Sequence, residues 1–141
     1  MASLSDPQVR EFLCLGTRTG KVAVVAADGR PLVTPVWFVL EDDTVVFNTG
    51  KTSAKGKAFA RDNRIALVVD QEEAPYGSVQ IQGTVTLSED LDDLVRTATE
   101  IGGRYMGADR AEEFGKRNGV PGELVVRIQP TKVIAAFDAT A

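Results

Sequence analysis

The sequence predicts a small, mainly β protein, a β-barrel with peripheral helices. The apolar residues fall in short runs of β-branched residues, and turn signals rather than helices separate the first of these runs. Such a meander is antiparallel, unlike an alternating βαβ series. The chain has 141 residues, of which 43% are hydrophobic, enough for one core, so we predict a single domain over residues 1–141.

The first third of the chain predicts one helix and three strands. The helix covers "LSDPQVREFL", with Asp6 as N-cap and Pro7 at the first helical position. The strands cover residues 21–26, 31–40 and 44–48, and the turns "ADGR" and "EDD" separate them. This order predicts an antiparallel meander closed at one end by the helix.

The rest of the chain predicts three further helices and four further strands. Ser53 is the expected cap of a helix over about 54–62, and Gly83 suggests a bulge in the strand that contains it. We predict these elements in order: a helix at 54–62, the strands "RIALVVD" and "GSVQIQGTVTLS", helices from Leu91 to Tyr105 and from Ala108 to Gly119, and two strands around Pro130. Six or seven strands with few helices favour a small barrel.

The composition excludes several kinds of chemistry. The chain has no histidine, which removes Ser-His and Cys-His triads and the usual zinc and haem ligands. The single cysteine, Cys14, allows no intrachain disulfide, and its apolar context "FLCL" predicts a buried, inert thiol. The acidic pairs lie in predicted turns and exposed helix faces, so we expect solvated charge and no metal site. Any redox chemistry is therefore expected from a bound group.

The sequence also bears on location. It has no run of about 18 apolar residues, and its N-terminus lacks the basic start and apolar segment of a secretory signal. We therefore expect a cytoplasmic protein without a membrane partner.

A basic segment stands out in an otherwise acidic chain. The net charge is −4, yet residues 48–64 contain five basic residues and one acidic residue. The run Gly50-Lys51-Thr52 is like the end of a P-loop, but Val45 occupies the position of its first glycine and the meander lacks βαβ units. We therefore reject a P-loop.

The same segment still predicts an anion site. Lys51, Lys55 and Lys57 lie at the start of a helix, where the dipole disfavours cations by about 0.3–1 kcal/mol. A phosphate there would meet these ammonium groups, free backbone N–H groups and the hydroxyl of Thr49 or Ser53. The alternatives are a solvated basic helix face and nucleic-acid binding. The acidic chain and the lack of interleaved aromatic residues argue against nucleic acid.

A second candidate is the strand "RPLVTPVWFVL". Trp37 and Phe38 on a strand are more often core or interface residues than ligand contacts. Pro35, however, removes one backbone donor, which suggests a bulge or an edge where backbone groups are free. A flat ring could lie along such an edge.

The order of these motifs resembles the split β-barrel proteins of the pyridoxamine-phosphate-oxidase-like, FMN-binding fold, also called flavin/deazaflavin oxidoreductases. The hairpin "GKVAVVAADGRPLVTPVWF", the run "VVFNTGKTSAKGKAFARDNRIALVVD" and the strand "VQIQGTVTL" carry this resemblance. It is greatest to the actinobacterial branch that uses the deazaflavin coenzyme F420. The resemblance implies a homodimer with two cofactor sites at its interface, a small-molecule substrate and no protein nucleophile.

The resemblance also implies site residues. The stretch with Lys51, Ser53, Lys55 and Lys57 matches the site of the cofactor phosphate, with Asn48 and Thr49 beside it. Tyr76, Ser78 and Gln80 match positions of the second subunit near the ring or the substrate. The residues that match the strand along the tricyclic ring are Val33, Thr34, Pro35, Val36 and Trp37.

Three alternatives accompany the F420 prediction. Ala54 stands where the flavin-oxidase branch usually has an arginine, which argues against FMN, although an FMN-binding oxidoreductase of the same fold remains an alternative. A non-catalytic protein that carries or sequesters F420 is another. The signature for pyridoxamine phosphate is missing, and haem-binding relatives would need an axial ligand that a chain without histidine does not offer.

Overall fold

The computed structural model describes residues 2–141, in which seven strands and four α-helices are present. A 3₁₀ turn at Ala108–Arg110 separates the last two helices. The elements are α1 (Pro7–Cys14), β1 (Gly20–Val25), β2 (Pro31–Val36), β3 (Val39–Glu41), β4 (Thr44–Gly50), α2 (Ala54–Arg61), β5 (Arg64–Asp70), β6 (Ser78–Ser88), α3 (Leu91–Met106), α4 (Ala111–Asn118) and β7 (Glu123–Ala136). None of the helices in the described chain is both long and apolar enough to cross a bilayer.

The strands form one antiparallel sheet in the order β2-β1-β5-β6-β7-β4-β3. The sheet wraps around a single apolar core, to which its strands contribute alternate side chains, such as Val22, Phe47, Ile81 and Ile128. Phe59 of α2 packs on Phe47, and α1 adds its buried apolar stripe to the same core. The edges β2 and β3 remain unjoined, so the predicted split β-barrel with peripheral helices is confirmed.

Two predicted strands differ from the observed ones. The run 31–40 breaks into β2 and β3 because α3 takes over the backbone groups at the break. The N–H of Phe38 donates to the Tyr105 hydroxyl at 3.1 Å, and Arg104 Nη1 donates to the Phe38 carbonyl at 2.7 Å. These bonds replace the ladder bonds that a continuous strand would have made.

The two strands predicted around Pro130 are instead the single strand β7. Pro130 lies opposite Gly83 at a register shift in the β6–β7 ladder, which confirms the predicted bulge. A Cβ on Gly83 would collide with the Gln129 carbonyl oxygen, so only glycine fits. Beyond Ile128, β7 no longer pairs with β4, so the missing N–H of proline removes no bond on that side.

Two details of α1 differ from prediction. Asp6 lies at the N-cap position but makes no side-chain cap; its Oδ2 instead accepts from the Ser3 N–H at 2.9 Å. Cys14 is exposed, because it is the last residue of α1 and lies off the stripe formed by Val9, Phe12 and Leu13. The prediction of a buried thiol was wrong.

The outer face of the sheet is half covered. Helix α3 packs on β3, β4 and β7 through a second small core of Val39, Val46, Leu94, Ile101 and Val125. The other half, formed by β2, β1, β5 and β6, has no helix over it and exposes apolar side chains. Val33 is 69% exposed and Val25 is 49% exposed. A groove of about 600 Å³ runs over this face.

An ion-pair network fixes the N-terminal half of α3 to the sheet. Arg127 of β7 donates to both carboxylate oxygens of Asp93 at 2.7 Å and to Glu41 at 2.9 Å. Arg96 bridges the same two carboxylates from α3. The side chains of Arg127 and Asp93 are only 19% and 16% exposed, so this network is mostly shielded from solvent.

Acidification is expected to weaken this network. Hydrogen bonds from Arg127 hold the pKa of Asp93 at about 2, below the value of about 3.9 in an unfolded chain. A carboxyl group with a lowered folded pKa stabilises the fold above its unfolded pKa, and this stabilisation is lost as the pH falls through the folded pKa. We therefore expect the free energy of unfolding to decline between about pH 4 and pH 2.

Urea denaturation at about pH 7, 4 and 2.5 measures this decline. In an Arg127→Met variant the decline should be smaller, because the carboxyl group of Asp93 then loses its main partner. Equal slopes in both proteins would contradict the assignment. Arg64 also lowers the pKa of Asp62 to about 2, but this ion pair is exposed. Asp62→Asn is therefore the matched control for the loss of an ion pair at the surface.

Candidate functional site

A cavity of about 240 Å³ opens where the ends of β2 and β4 meet the start of α2 and the α3–α4 helices. Six of its eight lining residues belong to the predicted site. The cavity is lined by Pro35, Val36, Trp37, Asn48, Thr49, Lys55, Ile101 and Asn118. The structure therefore joins the predicted anion segment and the predicted ring-binding strand in one concavity.

The loop before α2 is tightly organised. The Ser53 hydroxyl caps α2 by accepting from the Gly56 N–H at 3.1 Å, as predicted, and donates to the Gly50 carbonyl at 2.7 Å. Thr49, which is buried, lies within hydrogen-bond distance of Ser53, with their hydroxyl oxygens 3.1 Å apart. Both hydroxyls are thus partly committed to the loop. Its shape is fixed by the protein itself.

The predicted cations lie in three different environments. Lys51 is exposed and pairs with Glu89 at 3.1 Å, so part of its charge is already compensated. Lys55 is half-buried at the cavity, and Lys57 is exposed on the same helix. Within residues 2–141, no carboxylate forms an ion pair with Lys55 or Lys57, and α2 has no acidic residue in its first turn. Positive charge is therefore available beside the cavity.

Glu123 brings a carboxylate to this loop in addition to Glu89, since it pairs with Gly50 across β4 and β7. Its Oε2 atom lies 3.2 Å from where a side chain on Gly50 would begin. Burial raises the pKa of Glu123.

Trp37 forms the aromatic wall of the cavity. Its ring stacks on Tyr105, with centroids 5.1 Å apart and planes 7° from parallel, and lies tilted against Phe114 at 6.0 Å. The Tyr105 hydroxyl donates to the Arg18 carbonyl at 2.9 Å and accepts from Phe38. Burial raises the pKa of Tyr105, which keeps its hydroxyl protonated at neutral pH. The anchored ring of Tyr105 thus packs against one face of the Trp37 ring.

The rest of the predicted ring-binding strand lies on β2, at an edge of the sheet. Val33 points to the outer face, away from the cavity lining. The Thr34 hydroxyl oxygen is buried and, among the described residues, has no hydrogen-bond partner. An unpaired buried hydroxyl costs about 1–3 kcal/mol, so this atom marks a place where a bound group would supply the missing bond.

Three predicted residues lie elsewhere in the chain. Tyr76 is 54% exposed in the loop before β6, Ser78 begins β6, and Gln80 is exposed on its outer face. Two strands, β1 and β5, separate β6 from β2, which is about 14 Å at the usual strand spacing. Within one copy these residues do not join the cavity. Ala54 is the exposed first residue of α2 and lies outside the cavity lining.

Sequence reasoning missed Ile101, Asn118 and Tyr105 as parts of the site. The sequence predicted α3 and α4 as a surface insertion. The amphipathic pattern of these helices does not show that one end of the insertion contacts the break between β2 and β3. Asn118 is the last residue of α4 and directly precedes Gly119, and this position alone does not indicate a place in the site. No cluster of possible metal ligands occurs in residues 2–141.

Comparisons with known proteins identify the family and the fold. The sequence pattern of the family described as "Pyridoxamine 5'-phosphate oxidase" matches residues 5–136. No curated protein matches the chain in sequence.

Solved structures share the fold at low identity. A conserved hypothetical protein from Mycobacterium tuberculosis superimposes with a TM-score of 0.81 at 22% identity, over 95% of this chain and 84% of that one. A protein described as an F420 reductase gives 0.71 at 21% identity, over 92% and 98%. The haem storage protein of Vibrio cholerae gives 0.73 at 15% identity, over 99% and 100%.

Proposed function

Because the chain belongs to the pyridoxamine 5'-phosphate oxidase family, we propose that it is an F420H2-dependent reductase of conjugated or quinone-like small molecules. The observation that carries this proposal is the single cavity in which Lys55, without a carboxylate partner, faces the end of the edge strand β2. An anionic group and a flat ring, joined in one ligand, suit these two features together.

The residues present fit such a cofactor. Lys55 and Lys57 would hold its phosphate at the start of α2, where backbone N–H groups add to their charge. The free edge of β2 would meet polar atoms of its ring. Lys51 is the weaker anchor, because Glu89 already pairs with it.

When bound, the deazaflavin would supply a hydride from its C5 atom. The chain's own part is to orient and to shield. The capped loop at Ser53 fixes the anion site, while Trp37 and Ile101 line the cavity with apolar surface. No side chain of the cavity lining is a histidine, cysteine, aspartate or glutamate. Lys55 is the one ionisable side chain of the lining and is assigned to the phosphate, so a proton for the reduced product would come from solvent.

Two features favour F420 over FMN. Ala54 stands where, by resemblance, the flavin-oxidase branch has an arginine, so an FMN phosphate would lose that partner here. One of the solved structures with this fold is described as an F420 reductase. The test is titration of the purified protein with F420 and with FMN. Tighter binding of F420 is expected, and a clear preference for FMN would overturn the cofactor assignment.

The second test separates reduction from storage. Protein loaded with F420H2 should reduce at least one member of a panel of quinones and enones, followed by the absorbance of the cofactor. Binding of F420 without turnover across the panel would favour a carrier protein instead.

Replacing the two free lysines is expected to weaken cofactor binding. Lys55→Ala and Lys57→Ala should each cost about 1–3 kcal/mol, the scale of a hydrogen bond to a charged group. Lys55 should matter more, since it is half-buried at the cavity. The Kd for F420, measured by titration, reports the effect. Lys116→Ala on the exposed face of α4 is the matched control, and an unchanged Kd in both test variants would refute the phosphate site.

We also propose a homodimer formed through the bare half of the outer sheet face. This face exposes Val25 and Val33 beside its groove, and exposed apolar patches of this kind mark interaction sites. Gln80 lies on the same face. A second copy packed there would bring its own Tyr76, Ser78 and Gln80 toward the β2 edge of the first, which one copy cannot do alone.

The dimer has a direct test. We expect light scattering to give about twice the chain mass, which is 15.1 kDa. Val25→Asp, at the end of β1 that lines the groove, should give a monomer with weaker F420 binding. Leu91→Asp places the same charge at an exposed apolar residue of α3 and should leave the dimer intact. A wild-type monomer at micromolar concentration would contradict the proposal.

A further inference from the structure

The α3–α4 side of the cavity has features beyond the anion site and the edge of β2. Tyr105 covers one face of Trp37, yet 37% of the Trp37 surface remains exposed and the residue lines the cavity. A tryptophan held by a parallel ring has little freedom to turn away. Its open face is therefore a fixed stacking surface for a planar molecule.

Asn118 provides a polar group on the same wall. It is half-buried, lines the cavity beside Trp37 and Ile101, and makes no side-chain hydrogen bond to any residue in 2–141. Among residues 2–141, Thr34 Oγ1 is the one buried side-chain nitrogen or oxygen atom without a hydrogen-bond partner. The unbonded amide of Asn118 is therefore not buried, and it reaches accessible space. Its carboxamide can donate to a carbonyl oxygen and accept from a hydroxyl group.

The position of Asn118 is fixed by the packing of α4 on α3. A Cβ on Gly119 would meet the Gly115 carbonyl oxygen at 2.6 Å and Val95 Cα at 2.7 Å, so this helix end lies directly against α3. Tyr105 is anchored in turn through its hydroxyl. The stacking surface and the amide are thus held by the same pair of helices.

We propose that Trp37 and Asn118 form the substrate subsite, which binds a planar one- or two-ring compound carrying a ring carbonyl. Trp37 stacks on the ring and the Asn118 amide donates to the carbonyl. The assignment of this ligand as the hydride acceptor rests on the proposed function.

Menadione, a two-ring quinone, is the first probe. Trp37 is the one tryptophan of the chain, so quenching of its emission reports stacking directly, and calorimetry gives the Kd independently. We expect saturable quenching by menadione. Asn118→Ala should weaken menadione binding about five- to twenty-fold, the scale of one hydrogen bond, and leave 2-methylnaphthalene, which has no carbonyl, within two-fold. Trp37→Leu should weaken both probes more than ten-fold, and Trp37→Phe less.

Several results would overturn the subsite. These are equal affinity of Asn118→Ala and the wild type for menadione, undiminished binding by a folded Trp37→Leu or Trp37→Phe variant, and no menadione binding at all. Competition between F420 and menadione would also overturn the subsite, because Trp37 and Asn118 would then contact the cofactor ring. Menadione binding without F420 binding would support the subsite and refute the proposed cofactor. F420 binding without menadione binding would support the cofactor and refute the subsite.

Discussion

Replacing Arg127 with methionine is expected to lower the free energy of unfolding by about 3 kcal/mol or more, the cost of removing one partner from a mostly buried ion pair. Asp93 would keep only Arg96, and Glu41 would lose its closest partner. Urea denaturation at neutral pH measures the change through the transition midpoint. The effect should be large because the two carboxylates stay in place, poorly solvated and close together.

Two further variants make this prediction specific. Arg64→Met breaks the pair with Asp62, in which Arg64 is 79% exposed, and should leave the transition midpoint nearly unchanged. The double variant Asp93→Leu/Arg127→Met should recover part of the loss, because it removes the stranded charge as well. Equal midpoints for the wild type and Arg127→Met would show that the network contributes nothing.

Gly56→Ala is expected to reduce both stability and cofactor binding. The added Cβ would collide with the Gly50 carbonyl oxygen and lie 2.6 Å from the Lys51 carbonyl oxygen, both of them backbone atoms. The start of α2 must then move away from the loop that caps it. We expect the free energy of unfolding to fall by about 1–3 kcal/mol, the usual cost of overpacking. We also expect the affinity for F420 to fall more than about ten-fold, which corresponds to about 1.4 kcal/mol of binding free energy.

The comparison variant is Ala60→Gly, at an exposed position of the same helix. It should cost about 1 kcal/mol through helix propensity without displacing the loop. If Gly56→Ala binds F420 as Ala60→Gly does, the loss of affinity follows from a weaker helix and not from a displaced anion site. Wild-type affinity in Gly56→Ala would exclude the loop from the site altogether.

Much of the fold follows from local signals. Pro7 and Ser53 marked the starts of two helices, and Gly83 marked the bulge, because each of these residues suits one backbone position for a steric or hydrogen-bonding reason. The break between β2 and β3 did not follow. It depends on Arg104 and Tyr105, which are more than 60 residues away in the chain. Local patterns carry no information on such partners.

The site divides in the same way. Lys55 and the end of β2 at Pro35 and Val36 were predicted, and they share the cavity with Asn48 and Thr49. Asn118 and Tyr105 were not, because their place depends on how two helices pack rather than on their own neighbours. Tyr76, Ser78 and Gln80 stay predictions for a second copy, since a single chain places them beyond β5.

The edge strand β2 has a consequence for the behaviour of the protein in concentrated solution. An unpaired strand edge is a template on which another chain can add a strand, and this is a route to aggregation. Pro31 and Pro35 have the same parity in β2, so both direct their nitrogen atoms to one side of the strand, and neither nitrogen can donate. The Ala26 N–H donates to the Arg30 carbonyl, so the alternate residues Pro31 and Pro35 face away from β1, toward the open edge. A foreign strand would therefore find two donors fewer at this edge.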